Sequence, residues 1–336
     1  MLTPAQLIND LFGSVALLRL AAANRLAEHE WRRLYRQRVN FPAEPVFTQH
    51  DVPILDEALE LLGPRPRHKA EDAVRTYGHI VVDEAQDLSP MELRMLDRRS
   101  LSGSMTIVGD VAQATGAWPH DSWDDVLAHL PVRREPRRFE LTTGYRLPGP
   151  IMDLAARVLR VAAPMLTPPR SVRHLGDEPI VTRAPDDALD VEIVTAVRRE
   201  LDRVGTGNVA IVAPGALVDR VDEVLTAAGV EHGRATRQGL DSQVVVVPVT
   251  LVKGLELDSV IVVEPARILS DESRGAQSLY VALTRSTKRL SVVHTGPLPA
   301  MLEARGPSDG DEDPFRREVP DTDVSTFDLH RGGAIG

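Results

Sequence analysis

The feature that most constrains this chain is a series of short, β-branched apolar runs that do not alternate with polar residues. They are His79–Val82, Met105–Val108, Val209–Ala213, Val244–Val249, Val260–Val263 and Leu290–Val293. A strand with one wet face alternates, whereas an unbroken run suits a strand covered on both faces. Helix-like spacing fills the intervals 90–100, 121–130, 149–162, 187–203, 215–228 and 273–286. Strand–helix alternation of this kind predicts an α/β fold with parallel sheets. Phe139–Thr142 reads as a further strand, and residues 1–62 read as helical, with a Pro-containing loop at 41–48. The breaker Gly63-Pro64-Arg65-Pro66 closes that segment.

Composition removes several classes. The chain has 336 residues, 43% of them hydrophobic, enough for about two domains. No run of eighteen apolar residues is present, and the first residues lack a basic n-region and small-residue cleavage site. Cysteine is absent, which excludes disulfides and thiolate metal sites. The expectation is a cytoplasmic protein with no membrane partner. Net charge is −10, and residues 301–336 supply half of it with nine acids against four Arg. That tail is expected to be disordered. An acidic body lacks the basic footprint of an independent DNA binder. Arg133, Arg134, Arg137 and Arg138 form a local basic cluster, read here as a solvated loop.

Five segments place polar residues where α/β sheets bind ligands, beyond the carboxyl ends of strands. The first run ends in Asp83 and Glu84, followed by Ala85, Gln86 and Asp87. One carboxylate there can hold Mg²⁺ and the next can orient or deprotonate an attacking water. The second run ends in Gly109 and Asp110, with Gln113 three residues later. Tyr145-Arg146 offers an aromatic face and a guanidinium. Lys253-Gly254-Leu255-Glu256 offers a glycine and an acceptor, and Thr284-Arg285 closes a helical stretch. Taken singly, a solvated strand end, a turn or a surface Arg accounts for each of the later four as well.

In order and combination, these segments resemble motifs II to VI of UvrD/Rep-type superfamily 1 helicases, over about residues 70–295. The flanking stretches Asp10–Leu18, Tyr77–Leu88 and Gly103–Gly116 are similar to actinobacterial HelD-like proteins, ATP-dependent relatives that act on RNA polymerase. The resemblance implies tandem RecA-like parallel sheets, the first incomplete. It divides the chain into a helical segment (1–62), a partial first RecA-like domain (63–137), a second (138–300) and the tail (301–336). It implies that Asp83 binds Mg²⁺, Glu84 activates water, Gln113 and Arg146 reach the γ-phosphate of ATP, and Arg285 acts as an arginine finger in cis. Tyr145 would stack on adenine, Glu256 would contact the sugar, and Gly254 would allow close backbone approach. Trp118 falls where the family stacks a tryptophan on single-stranded DNA.

One motif is missing. The family's phosphate cradle, G-x-x-x-x-G-K-[ST], needs a lysine after a glycine. The three lysines, Lys69, Lys253 and Lys288, follow His68, Val252 and Thr287. The chain is therefore expected to be the C-terminal portion of a motor whose P-loop lies on another segment or protein. Gly116 and Pro119 replace the residues that usually flank the stacking Trp, and Leu251 and Val252 replace polar ones. These changes weaken the single-strand contact and fit the HelD-like resemblance, in which the main substrate is RNA polymerase rather than a duplex; both RNA polymerase and single-stranded DNA stay open as partners. The alternative function is a non-catalytic module that docks on RNA polymerase.

Overall fold

In the computed structural model, residues 2–40, 45–63, 75–130, 135–235 and 242–303 are described. The tail expected to be disordered lies outside the described residues apart from Met301–Glu303, as do Lys69, Arg133 and Arg134. Every strand pair among the described residues is parallel. The architecture is mixed α/β, as the unbroken apolar runs predict.

The chain begins with helices α1 (Pro4–Phe12), α2 (Val15–Ala22), α3 (Glu28–Arg33) and α4 (Val52–Leu62). Thr3 caps α1 in a reciprocal box with Gln6, satisfying amides that the first turn cannot pair internally. Ile8, Phe12, Leu18, Ala22, Trp31 and Ala58 close a small core between these helices. Arg36 is bound to the buried Asp51 through two 2.7 Å hydrogen bonds.

Strands β1 (Ile80–Val82) and β2 (Met105–Ile107) flank helix α5 (Pro90–Arg99), and α6 (Trp123–Leu127) follows. They form a two-stranded sheet whose inner face packs on Leu93 and Val126. The N-terminal helices attach to this unit through charge: Arg98 binds Asp56 and Glu57, each at 2.5 Å, and Arg99 also binds Asp56.

A second pair, β3 (Thr143–Pro148) and β4 (Arg170–Arg173), brackets α7 (Gly149–Ala162). This corrects the strand expected at Phe139–Thr142. Phe139 and Leu141 are almost fully exposed, so no described residue covers that apolar run, and the strand starts where Gly144 and Leu147 turn inward.

The main sheet holds β5 (Ile180–Arg183), β6 (Val209–Ala213), β7 (Gly233–Arg234), β8 (Val244–Pro248), β9 (Leu257–Val263) and β10 (Ser286–His294), in the order β5-β10-β9-β6-β8-β7. One face, with Ala210, Val212, Val245, Val260 and Val292, packs on α7 and α11 (Gly275–Leu283). The other, with Val209, Ile211, Val246, Ile261 and Val293, packs on α8 (Leu189–Val204) and α9 (Val218–Ala227). Both faces are buried, which is why these strands carry no polar alternation. The helix expected over 273–286 is shorter. A separate α10 (Pro265–Asp271) precedes it, and Arg285 lies in the turn between α11 and β10. No helix among the described residues is long and apolar enough to cross a membrane.

One buried carboxylate holds α8 to this sheet. Glu200 accepts from Arg289 Nε at 2.7 Å, Ser291 Oγ at 2.8 Å and Ser259 Oγ at 3.1 Å. Removing Arg289 would leave that buried charge with the more distant Arg199 Nε, at 3.3 Å, as its one remaining cation among the described residues. Arg289→Met is expected to lower the unfolding free energy by about 3 kcal/mol. Denaturant unfolding checks this, and a change within about 0.5 kcal/mol would contradict it. The N-terminal helices should respond to acid. The hydrogen bond from Arg36 holds the Asp51 carboxyl near 2, against 3.8 ordinarily. A depressed folded-state value stabilises the fold above the ordinary carboxylate range, and the contribution fades as pH falls through about 2. Amide-exchange protection in α1 and α4 should fall with pH over that window, and Arg36→Ala should weaken that dependence, leaving the part due to the hydrogen bonds from Thr48.

Candidate active site: a cleft between two sheets

The residues singled out from sequence come from the carboxyl ends of β1 and β2, from β3, from the approach to β9 and from the turn after α11. Asp83 and Glu84 follow β1 directly. Asp83 Oδ1 accepts the amide of Glu84 at 2.8 Å and leaves the carboxylate facing solvent. Glu84 is held in the left-handed region, with φ +53° and ψ +35°, a costly conformation for a residue with a Cβ. Strain alone does not mark a site. Glu264 is left-handed too, and its carboxylate simply accepts from the amide and hydroxyl of Thr295. Glu84 differs in what it faces.

Gln86 is fully buried beneath Glu84 and donates Nε2 to its Oε2 at 2.6 Å. The amide orientation follows from the other end, where Gln86 Oε1 accepts the N–H of Asp110 at 3.0 Å. Asp110 Oδ2 accepts Gln113 Nε2 at 2.7 Å. Gln113 Oε1 accepts Arg285 Nη2 at 2.8 Å. A continuous hydrogen-bond path thus leads from Glu84, beside the small sheet, to Arg285, beside the six-stranded one. Packing supports it: Ala112, in the 3-10 turn Val111–Gln113, is buried in the core that covers one face of the larger sheet.

Arg285 is 5% exposed. Its hydrogen-bond acceptors are the carbonyl of Val281, the hydroxyl of Thr284 and the amide oxygen of Gln113, all neutral. No carboxylate among the described residues lies within ion-pair distance of it. Burial depresses its pKa, and the nearby positive charge of Arg146 depresses it further, against the opposing influence of Glu84 and Asp110. Arg146 bonds to Glu256 at 2.6 Å, with both side chains about half exposed. Two guanidiniums therefore repel one another, one of them buried with no carboxylate in ion-pair range among the described residues. Such an arrangement favours an anion.

The remaining expected residues divide. Tyr145 is 73% exposed on β3, with its ring presented to solvent rather than packed. Trp118 is 58% exposed in the loop before α6. Gly254 has φ +78°, with open space where a Cβ would stand. The backbone turn itself demands this glycine. The turn delivers Lys253, which sequence reasoning passed over in favour of its neighbours. Its ammonium contacts Glu84 Oε2 at 3.2 Å, the Gln113 carbonyl at 2.9 Å and the Asp87 carboxylate. The lysine beside a turn glycine was the available signal. Of the basic cluster, Arg138 pairs with Asp124 at 2.5 Å.

No three-residue group of His, Asp or Glu that could hold a metal occurs among the described residues. Asp83 still fits Mg²⁺, because that ion takes one or two carboxylates and completes its shell with phosphate and water.

No family model and no curated protein matches the chain. Among solved structures it is similar to the C-terminal domain of a possible DNA helicase from Lactobacillus plantarum WCFS1. The identity is 25% and the TM-score 0.37, covering 47% of this chain and 92% of that one. At that TM-score the likeness fixes neither fold nor function.

Close packing beneath Glu84 is testable. A Cβ on Gly109 would stand 2.2 Å from Gln86 Oε1. Gly109→Ala should therefore displace that amide and destabilise the chain by about 1–3 kcal/mol. Thermal unfolding checks this, and unaltered stability would contradict the packing described.

Proposed function

We propose that this chain supplies the water-activating and arginine-bearing parts of an ATP-hydrolysing cleft in a UvrD/HelD-like helicase or translocase motor, and that a P-loop-bearing segment completes it. The observation that carries the reading is Arg285, a buried guanidinium with only neutral partners, joined through Gln113, Asp110 and Gln86 to the strained Glu84. In this reading β1–β2 belongs to an incomplete first RecA-like domain (63–137) and the six-stranded sheet to a second (138–300).

The chemistry follows from the placement. Glu84 would orient and deprotonate the attacking water. Arg285 and Arg146 would meet the negative charge that spreads over the transferred phosphoryl oxygens, with Gln113 between them. Glu256 would exchange Arg146 for the nucleotide sugar, and exposed Tyr145 would offer its ring to adenine. Asp83 would hold Mg²⁺, which when bound neutralises charge between the phosphates. Nothing in the sequence cradles the β-phosphate, so the chain alone should grip a triphosphate poorly.

The small sheet supports a complementing segment. A parallel pair is ordinarily covered on both faces and extended by further strands, yet Val81 on β1 is 69% exposed. A strand added beside β1 or β2 would end at the same crevice as Glu84. Exposed Trp118 is available to single-stranded DNA, where stacking is worth about 1–3 kcal/mol per base, or to a protein partner such as RNA polymerase. A purely non-catalytic docking module would leave the unpaired charge of Arg285 without a use.

The isolated chain should show negligible ATP turnover. Mixing it with a separately expressed segment carrying a G-x-x-x-x-G-K-[ST] loop should produce turnover. In that mixture Glu84→Gln should cut kcat by about 10²-fold or more, and Arg285→Ala by about 10³-fold. Brisk hydrolysis by the chain alone, or full activity in both variants, would contradict the proposal.

A further inference from the structure

Lys253 belongs to the larger sheet's side of the cleft. It sits in the turn between the 3-10 turn Val249–Leu251 and β9. All three of its polar partners lie on the smaller side: Glu84, Asp87 and the carbonyl of Gln113. These contacts close a ring. Glu84 accepts from Gln86, Gln86 accepts from Asp110, Asp110 accepts from Gln113, and Lys253 ties the Gln113 backbone to Glu84. The ammonium is mostly buried, with a side-chain exposure of 17%.

Glu84 therefore has two donors of different origin. Gln86 follows β1 in the same short turn, so its bond to Glu84 is local to the smaller sheet. Lys253 comes from the turn before β9, so its contact with Glu84 depends on the packing of the larger sheet against the smaller one. We infer that Lys253 is a positioning residue that sets the Glu84 carboxylate across the cleft, so that Glu84 is aligned only in the closed arrangement. The inference rests on Glu84 being the water-activating carboxylate proposed above. Asp87 is the anchor of this device: it holds the ammonium beside Glu84 and accepts the amide of Gly116 at 3.4 Å through its other oxygen. Gly254 contributes the left-handed turn that aims the side chain.

The test uses the full chain labelled with ¹³C at the glutamate carboxyls, with the Glu84 resonance identified by its loss in Glu84→Gln. Lys253→Met should shift and broaden that resonance, Lys253→Arg should largely restore it, and Asp87→Asn should move it part of the way. An unchanged Glu84 signal in Lys253→Met would overturn the inference. Should Lys253→Met fail to fold, Asp87→Asn decides: a shifted signal supports the link and an unchanged one overturns it. This signal reads without nucleotide turnover, so a silent ATPase assay counts against the proposed function and not against the link. Where the P-loop segment does restore turnover, Lys253→Met should lower kcat about tenfold with KM for ATP within about twofold, because Gln86 still holds one side of Glu84. An equal rise in KM would place Lys253 on the nucleotide instead and overturn the positioning role.

Discussion

The hydrogen bond from Arg285 to Gln113 joins the two sheets where Ala112 already packs into the core of the larger one. It brings a permanent positive charge into a buried place and gives it an amide oxygen rather than a carboxylate. A buried cation without a counter-charge is expensive to hold. The fold tolerates it because the Val281 carbonyl of α11 and the hydroxyl of Thr284 just beyond it accept from the same guanidinium, and because Glu84 and Asp110 stand close enough to favour it electrostatically. Opposite lies Glu84, kept in a backbone conformation that its side chain disfavours. The two halves of the cleft thus carry strain of different kinds, one electrostatic and one conformational, and a bound phosphate would relieve the first.

Much of the framework is legible in the sequence because it follows from one rule. Val209–Ala213 and Val244–Pro248 are uniformly apolar because helices cover both faces, and a run of that kind has few other uses. Polar residues then gather beyond the carboxyl ends of strands, and Glu84 and Gln113 stand there, after β1 and β2. Where periodicity is ambiguous the reading slips. Phe139 and Leu141 look like a strand, yet the chain leaves them bare, and β3 starts beyond them. Strands β4 and β5 carry Arg and Thr among their residues and give no clear apolar signal.

Side-chain partnerships lie deeper than pattern. Nothing in local spacing says that Lys253 crosses to Glu84 and Asp87, separated from it by more than a hundred residues. Nor does it say that Arg285 is buried rather than exposed on a helix. Its place in the turn after α11 depends on where that helix ends, and the boundary is set by the start of β10 at Ser286. Gly109 shows the converse. It reads as an ordinary turn glycine, but its lack of a side chain is what admits the Gln86 amide.

The central claim is that Glu84 and Arg285 face one phosphate-sized space that a second segment completes. A crystal structure of the chain with a P-loop segment, Mg²⁺, ADP and a phosphoryl mimic such as aluminium fluoride tests this most directly. The account predicts the mimic between Arg285 and Arg146, with its axial water on Glu84 and the segment's strand paired to β1 or β2. Nucleotide bound elsewhere, with Arg285 still held only by Gln113 and its neighbours, would contradict it.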